Sequence, residues 1–169
     1  MGQGSSLAHR SSPTSVVGAH VGLLAIAASG YHALLLKSAD GSCWSWGYNN
    51  NGQLGDESVN NRTSPVSVHG GHSFTDIACG IYHSMGLKAD GSIWSWGFNN
   101  QGQLGDRTLL SRSSPVSVVS NWVFTKVTSR QYKCMGLRND GAVYVWGQPN
   151  PEFVARSNPM RWAPEYNVL

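Results

Sequence analysis

With 169 residues, 12% charged side chains and a net charge of +3, the chain is long enough to bury a core and too mildly basic to argue for nucleic acid on charge alone. No apolar run approaches the ~20 residues of a membrane-spanning helix. Three cysteines, Cys43, Cys79 and Cys134, without any Cys-x-x-Cys spacing, argue against a disulfide framework or a zinc site and read as buried free thiols.

The chain opens on Gly2-Gln3-Gly4 and Arg10-Ser11-Ser12-Pro13, which match later motifs and start in the middle of a repeating unit, as expected of a piece of a longer repeat protein. Strands are expected near residues 13–17, 22–28, 31–37 and 42–47, with one extra residue in the third of these relative to its later copies. Between the last two stands Asp40-Gly41, a pair suited to the positive φ angles of a two-residue type I′ hairpin turn. The following arm alternates Trp44 and Trp46 with residues that face the other way, so both faces of this hairpin need cover. The loop Gly52-Gln53-Leu54-Gly55-Asp56 then supplies glycine for positive φ and Leu54 as a plug into the core.

The same order returns 50 residues later: Asp90-Gly91, then Trp94 and Trp96, then Gly102-Gln103-Leu104-Gly105-Asp106 with Leu104 as its plug. A third hairpin carries Asp140-Gly141, Tyr144 and Trp146. The second unit is expected to use strands at 65–69, 74–79, 83–88 and 92–97, and the third at 115–119, 124–129, 133–138 and 142–147, each unit opened by a proline. Asp56 and Arg62, like Asp106 and Arg112, have one spacing and suggest an Asp–Arg clasp in each connection. Beyond residue 147 the pattern decays into a Pro-rich tail, 148–169, in which Arg156-Ser157-Asn158-Pro159 is a worn copy of Arg112-Ser113-Ser114-Pro115. A period of this length with short strands reads as a solenoid or propeller unit.

These motifs, Tyr82-His83-Ser84, Leu87-Lys88-Ala89-Asp90-Gly91-Ser92, Trp94-Ser95-Trp96-Gly97, Gly-Gln-Leu-Gly-Asp and Arg-x-Ser-Pro, resemble the regulator of chromosome condensation repeats over residues 2–147. The Trp-Ser-Trp-Gly form is similar to bacterial and phage versions. The resemblance implies an all-β fold of propeller blades, each of four antiparallel strands. About three blades are present, a partial ring where propellers use ~4 to 8. It also implies binding functions. Full propellers of the family include a nucleotide exchange factor for a small GTPase and an inhibitor that covers β-lactamase active sites. A bacterial source would place the chain outside the cell or on its surface, and any other source in the cytoplasm.

There is no Gly-x-Ser-x-Gly elbow, His-Glu-x-x-His helix or phosphate loop, and the Asn-rich loops lack the alternating carboxylates of a calcium site. His69 and His72 lie close enough to offer half a metal site, without a third ligand nearby. No catalytic, cofactor or metal residue is therefore assigned. Asp40, Gly41, Trp44, Trp46, Leu54, Asp90, Gly91, Trp94, Trp96, Leu104, Asp140, Gly141 and Trp146 are read as framework. The third unit departs from the second by placing Lys126, Arg130 and Lys133 where Asp76, Gly80 and His83 stand, and keeps Arg138 opposite Lys88. These four are the candidate partner-binding set, suited to an acidic protein surface, against the alternative of drift in a terminal unit.

The expected function is a non-enzymatic protein-binding scaffold whose open faces are covered by further blades or another copy of the chain. An exchange-factor-like regulator of a small GTPase and a propeller lyase or hydrolase stay open as rivals.

Overall fold

The computed structural model describes residues 15–16 and 22–148, together with the backbone of 156–161. The opening motifs at residues 2–13, and all but two residues of the strand expected at 13–17, lie outside the described residues. Twelve strands follow in order: β1 (Leu23–Ala28), β2 (His32–Lys37), β3 (Cys43–Gly47), β4 (Arg62–Ser67), β5 (Asp76–Cys79), β6 (His83–Leu87), β7 (Ile93–Gly97), β8 (Arg112–Ser117), β9 (Phe124–Arg130), β10 (Lys133–Arg138), β11 (Val143–Gly147) and β12 (Arg156–Arg161). They make three antiparallel sheets, each of four strands in simple succession, β1 to β4, β5 to β8 and β9 to β12. The fold is all-β and its sheets are propeller blades. No helix of the described residues is long and apolar enough to cross a membrane.

Three expectations are corrected. The proline strand closes a sheet and does not open the next one: Trp44 pairs with Ser67 and Gly47 with Arg62 across β3 and β4, and the second sheet repeats this between β7 and β8. Pro65 and Pro115 thus sit in outermost strands, beside a break in the ladder, where a missing N–H leaves no partner unsatisfied. These strands begin at Arg62 and Arg112 because each arginine is anchored, Arg62 to Asp56 at 2.7 Å and Arg112 to Asp106 at 3.2 Å. By the same rule Arg156–Arg161 completes the third sheet, with Met160 paired to Val145 and Arg156 to Gly147.

The Asp-Gly turns are not two-residue turns. The Gly91 N–H donates to the Lys88 carbonyl and the Lys88 N–H to the Ser92 carbonyl, which leaves three residues in the loop. Only the glycine has positive φ, +79° at Gly91. Asp90 serves otherwise: its Oδ1 accepts the Ser92 N–H at 2.8 Å, as Asp40 does for Ser42 and Asp140 for Ala142. The extra residue of the first unit falls in this turn, not in a strand. His32 pairs with Gly47 and Leu36 with Cys43, register for register with His83–Gly97 and Leu87–Ile93.

The sheets stack through alternating faces. Leu34, Leu36 and Cys43 of the first sheet meet Phe74, Ile77, Cys79 and Trp96 of the second. Ala78, Met85, Leu87 and Ile93 of the second meet Phe124, Val127, Cys134, Tyr144 and Trp146 of the third. Gly86 and Gly136 give way to a ring in each case: a Cβ on Gly86 would stand 2.5 Å from the Phe74 ring, and one on Gly136 2.7 Å from that of Phe124. The first strands β1, β5 and β9 lie against one another, so they form the inner edge of the fan.

The connecting loops tie one sheet to the next. The Gln53 carbonyl accepts the Trp96 indole N–H at 3.0 Å and the Ser84 hydroxyl at 2.8 Å. Likewise the Gln103 carbonyl accepts the Trp146 indole at 3.0 Å and the Cys134 thiol at 3.2 Å. Leu54 and Leu104 are fully buried.

Candidate functional site

A sheet docked on both sides hides both faces, and the second sheet shows what its forward face looks like when covered. Met85 and Ile93 are inaccessible there and Leu87 nearly so. Asp76 Oδ2 accepts the Val127 N–H at 3.4 Å, and the Ile81 N–H donates to the Gln131 carbonyl at 3.0 Å. Gly80 is pressed so closely that a Cβ would lie 2.6 Å from that same carbonyl oxygen. His83 is sealed between the sheets, its Nε2 2.8 Å from Ser129 Oγ and 3.0 Å from Cys134 Sγ.

The corresponding face of the third sheet is open, and there the structure brings together three of the four residues singled out from sequence. Alternation along β9 puts Lys126, Thr128 and Arg130 on this face, and along β10 Lys133, Met135 and Leu137, all of them exposed. Arg130 lies directly opposite Lys133, and Lys126 opposite Leu137. Val143 and Val145 of β11, half-buried, carry the apolar strip onward. Met135 is 42% and Leu137 38% exposed, where Met85 and Leu87 are 0% and 3%. Like charges directly across a strand pair repel. None of the ion pairs among the described residues involves Lys126, Arg130 or Lys133.

Arg138 is not part of this group. Its register puts it on the opposite face, where it pairs with Asp140 at 2.8 Å, donates to the Tyr144 hydroxyl at 3.3 Å and lies 6.0 Å from that ring. It fastens a hairpin turn to the sheet.

The histidines and cysteines are poorly placed for chemistry. The Ser84 hydroxyl gives its proton to the Gln53 carbonyl, so His32, 2.7 Å away, donates from Nε2. Burial lowers the pKa of His32 to about 4 and that of His83 to about 3, and it raises the Cys134 thiol to about 12. His69 pairs with Glu57 at 3.2 Å, while His72 packs on Trp94 at 4.3 Å between centroids. Among the described residues no three His, Cys, Asp or Glu side chains gather in a way that could hold a metal ion.

A second surface escaped the sequence reading. Tyr31, Tyr82 and Tyr132 precede β2, β6 and β10, and Tyr48 and Phe98 follow β3 and β7; together the five rings form a continuous strip across the three sheets. Tyr31 stacks on Tyr82 at 5.1 Å and 11°, and Tyr82 and Phe98 both reach Tyr132, at 6.3 and 6.1 Å. The available signal was a tyrosine at one repeat position in all three units.

Comparison with known proteins gives one repeat description twice. A family model for the regulator of chromosome condensation (RCC1) repeat matches residues 40–87 and 90–130, and a second model of that repeat matches 24–53 and 74–103. Among solved structures, human WBSCR16 superposes with a TM-score of 0.77 at 24% identity, over 84% of this chain and 38% of its own. Prp20p from Saccharomyces cerevisiae, characterised for its binding to Gsp1p and histones, gives 0.72 at 21% identity, over 86% and 39%. The ectodomain of the receptor kinase CR4 from Physcomitrella patens gives 0.54 at 21%, over 74% and 29%. The chain spans less than two-fifths of each of these proteins, and the likeness is one of fold.

Proposed function

Because the chain belongs to the regulator of chromosome condensation repeat family, we propose that it is a non-enzymatic protein-binding module, and that its partner docks on the forward face of the third sheet. One observation carries this reading: Lys126, Arg130 and Lys133, unpaired among the described residues, surround exposed aliphatic side chains on a sheet face that the fold elsewhere keeps covered. Repelling cations beside an aliphatic strip are stabilised when an acidic surface covers both. The partner is therefore a protein with an acidic surface. Further blades or another copy would cover the apolar back face of the first sheet, where Ile26 is 76% exposed.

The test is recovery of partners by immobilised protein, comparing the parent with Lys126→Asp/Arg130→Gly/Lys133→His, which restores the second unit's residues. We expect salt-sensitive recovery that the triple variant loses while its thermal melt is unchanged. Equal recovery at low salt would reject the reading.

The likeness to Prp20p, which binds Gsp1p, supports a second reading as an exchange-factor-like regulator of a small GTPase. Faster nucleotide release from a GTPase on adding the chain would favour it. A lyase or hydrolase is the weakest reading, because the buried histidines are held neutral between sheets and hydrogen-bonded there.

A further inference from the structure

We infer that the forward face of the third sheet is closed to another blade of this repeat, and that its occupant is a protein segment of a different kind, an aliphatic ridge flanked by carboxylates. The inference rests on the reading that this face binds a partner, and it names that partner's chemistry.

The two interfaces within the molecule show what a covered forward face carries. Both covered sheets keep a small residue at this position, Ser29 in the first and Gly80 in the second, where a Cβ would run into the His83 ring of its own sheet and stand 2.6 Å from the Gln131 carbonyl of the third. Arg130 holds that position in the third sheet, so a blade seated in the same way would collide with it. Where His83 is buried and neutral between sheets, Lys133 would be a buried ammonium facing a hydroxyl and a thiol. Desolvating a lone ammonium is prohibitive without a carboxylate. Lys126 stands where the covered faces carry Ala25 and Asp76, the second of which accepts a backbone N–H from the neighbouring sheet, and a lysine has only donors to offer.

A second copy of the chain does not solve this. The complementary face is the back of its first sheet, where Leu24 and Ile26 of the edge strand are exposed while Leu35 beside Ile26 is buried. Strands β1, β2 and β3 read LLAIAA, HALLLK and CWSWG, with no carboxylate among them. Three cations would be buried against an apolar surface.

What does fit follows from spacing. Lys126 and Arg130 are four residues apart on one strand, about 13 Å at ~3.3 Å per residue. Lys133 lies across from Arg130 and Leu137 across from Lys126, with Met135 on the level between the two positive ends. An extended segment with glutamates or aspartates at its ends and alternate leucines or valines between them matches this layout.

The experiment has two arms. A fluorescent synthetic peptide with alternating leucines and paired glutamates at each end is titrated with the protein, beside a control whose glutamates are lysines. Saturable, salt-sensitive binding of the acidic peptide alone is expected, weakened about tenfold or more by the triple variant and by Leu137→Ser. Binding of both peptides, of neither, or binding indifferent to these substitutions overturns the inference. In the second arm, Ile26→Cys and Met135→Cys are introduced together, and intermolecular cross-linking is compared with and without the triple substitution. Cross-linking is expected only when Asp, Gly and His are restored. Efficient cross-linking of the otherwise native chain would show that the face accepts a blade, and overturns the inference. If partner recovery still depends on the three cations while the acidic peptide fails, the binding module stands and its stated chemistry falls.

Discussion

Acid should pull the sheets apart through two buried histidines. His32 joins the first sheet to Ser84 of the second, and His83 joins the second to Ser129 and Cys134 of the third. Both are buried and neutral, with pKa values lowered by burial to about 4 and about 3. In the unfolded chain each titrates near ~6.5. The folded values are depressed, so the unfolded chain takes up protons first as the pH falls. The stability that rests on neutral burial is intact above about 6.5 and is lost between there and the folded values. At pH 4.5 each histidine has cost roughly 2 to 3 kcal/mol, a large share of a typical domain stability of ~5 to 15 kcal/mol. Asp56 stays outside this window: although desolvation raises its pKa, the hydrogen bond from Ser58 and the Arg62 guanidinium hold it below the ordinary carboxylate range. Urea unfolding followed by tryptophan fluorescence at pH 7.5 and 4.5 measures the loss as a fall in the midpoint. His32→Gln/His83→Gln should remove most of the pH dependence, leaving the small part from His72, whose pKa burial also lowers. Parent midpoints that coincide at the two pH values, or a double variant as acid-sensitive as the parent, would refute the reasoning.

Other perturbations test the framework. Trp96→Ala should cost about 3 to 5 kcal/mol, because the ring is fully buried between the first two sheets and its N–H is held by the Gln53 carbonyl; thermal melts read this directly. Gly80→Arg, which copies the third sheet's residue into the second, meets both the His83 ring and the Gln131 carbonyl and should loosen the docking of the third sheet, seen as new protease cleavage beyond residue 120. Asp90-Gly91→Ala-Ala removes both the positive-φ residue and the carboxylate that accepts the Ser92 N–H, and a lower melting temperature is expected.

Much of the architecture was legible because it repeats. Asp40, Asp90 and Asp140 mark the hairpins, and the alternation of Ile93 and Ser95 with Trp94 and Trp96 states that both faces are covered. The phase of the sheets was not legible. Whether Pro65 opens one blade or closes the last depends on pairing with Trp44 and Gly47, about twenty residues away, and local propensity is silent on that. The turn type was misread because Asp-Gly suits two geometries; the carboxylate's bond to the Ser92 N–H and the single positive φ decide between them. At the candidate site the residue changes were visible, but only the register of β9 and β10 puts Lys126, Arg130 and Lys133 on one face and turns Arg138 to the other. Tyr31, Tyr82 and Tyr132 were in plain view as a repeated column, yet contact between their rings is a property of three sheets stacked together.

The loop carbonyls of Gln53 and Gln103 make the stack directional. Each acceptor is built by an earlier sheet, and its donors, an indole and a hydroxyl or thiol, arrive with the later one. A chain leaving the ribosome therefore presents a finished docking point before the segment that needs it has been synthesised. Loss has the same asymmetry. Peeling off the third sheet frees a carbonyl that water can satisfy, whereas removing the first leaves Trp96 with its ring stripped of cover and its N–H without its acceptor. Unravelling should run from the last sheet toward the first, and exchange of the indole N–H protons should be slower for Trp96 than for Trp146.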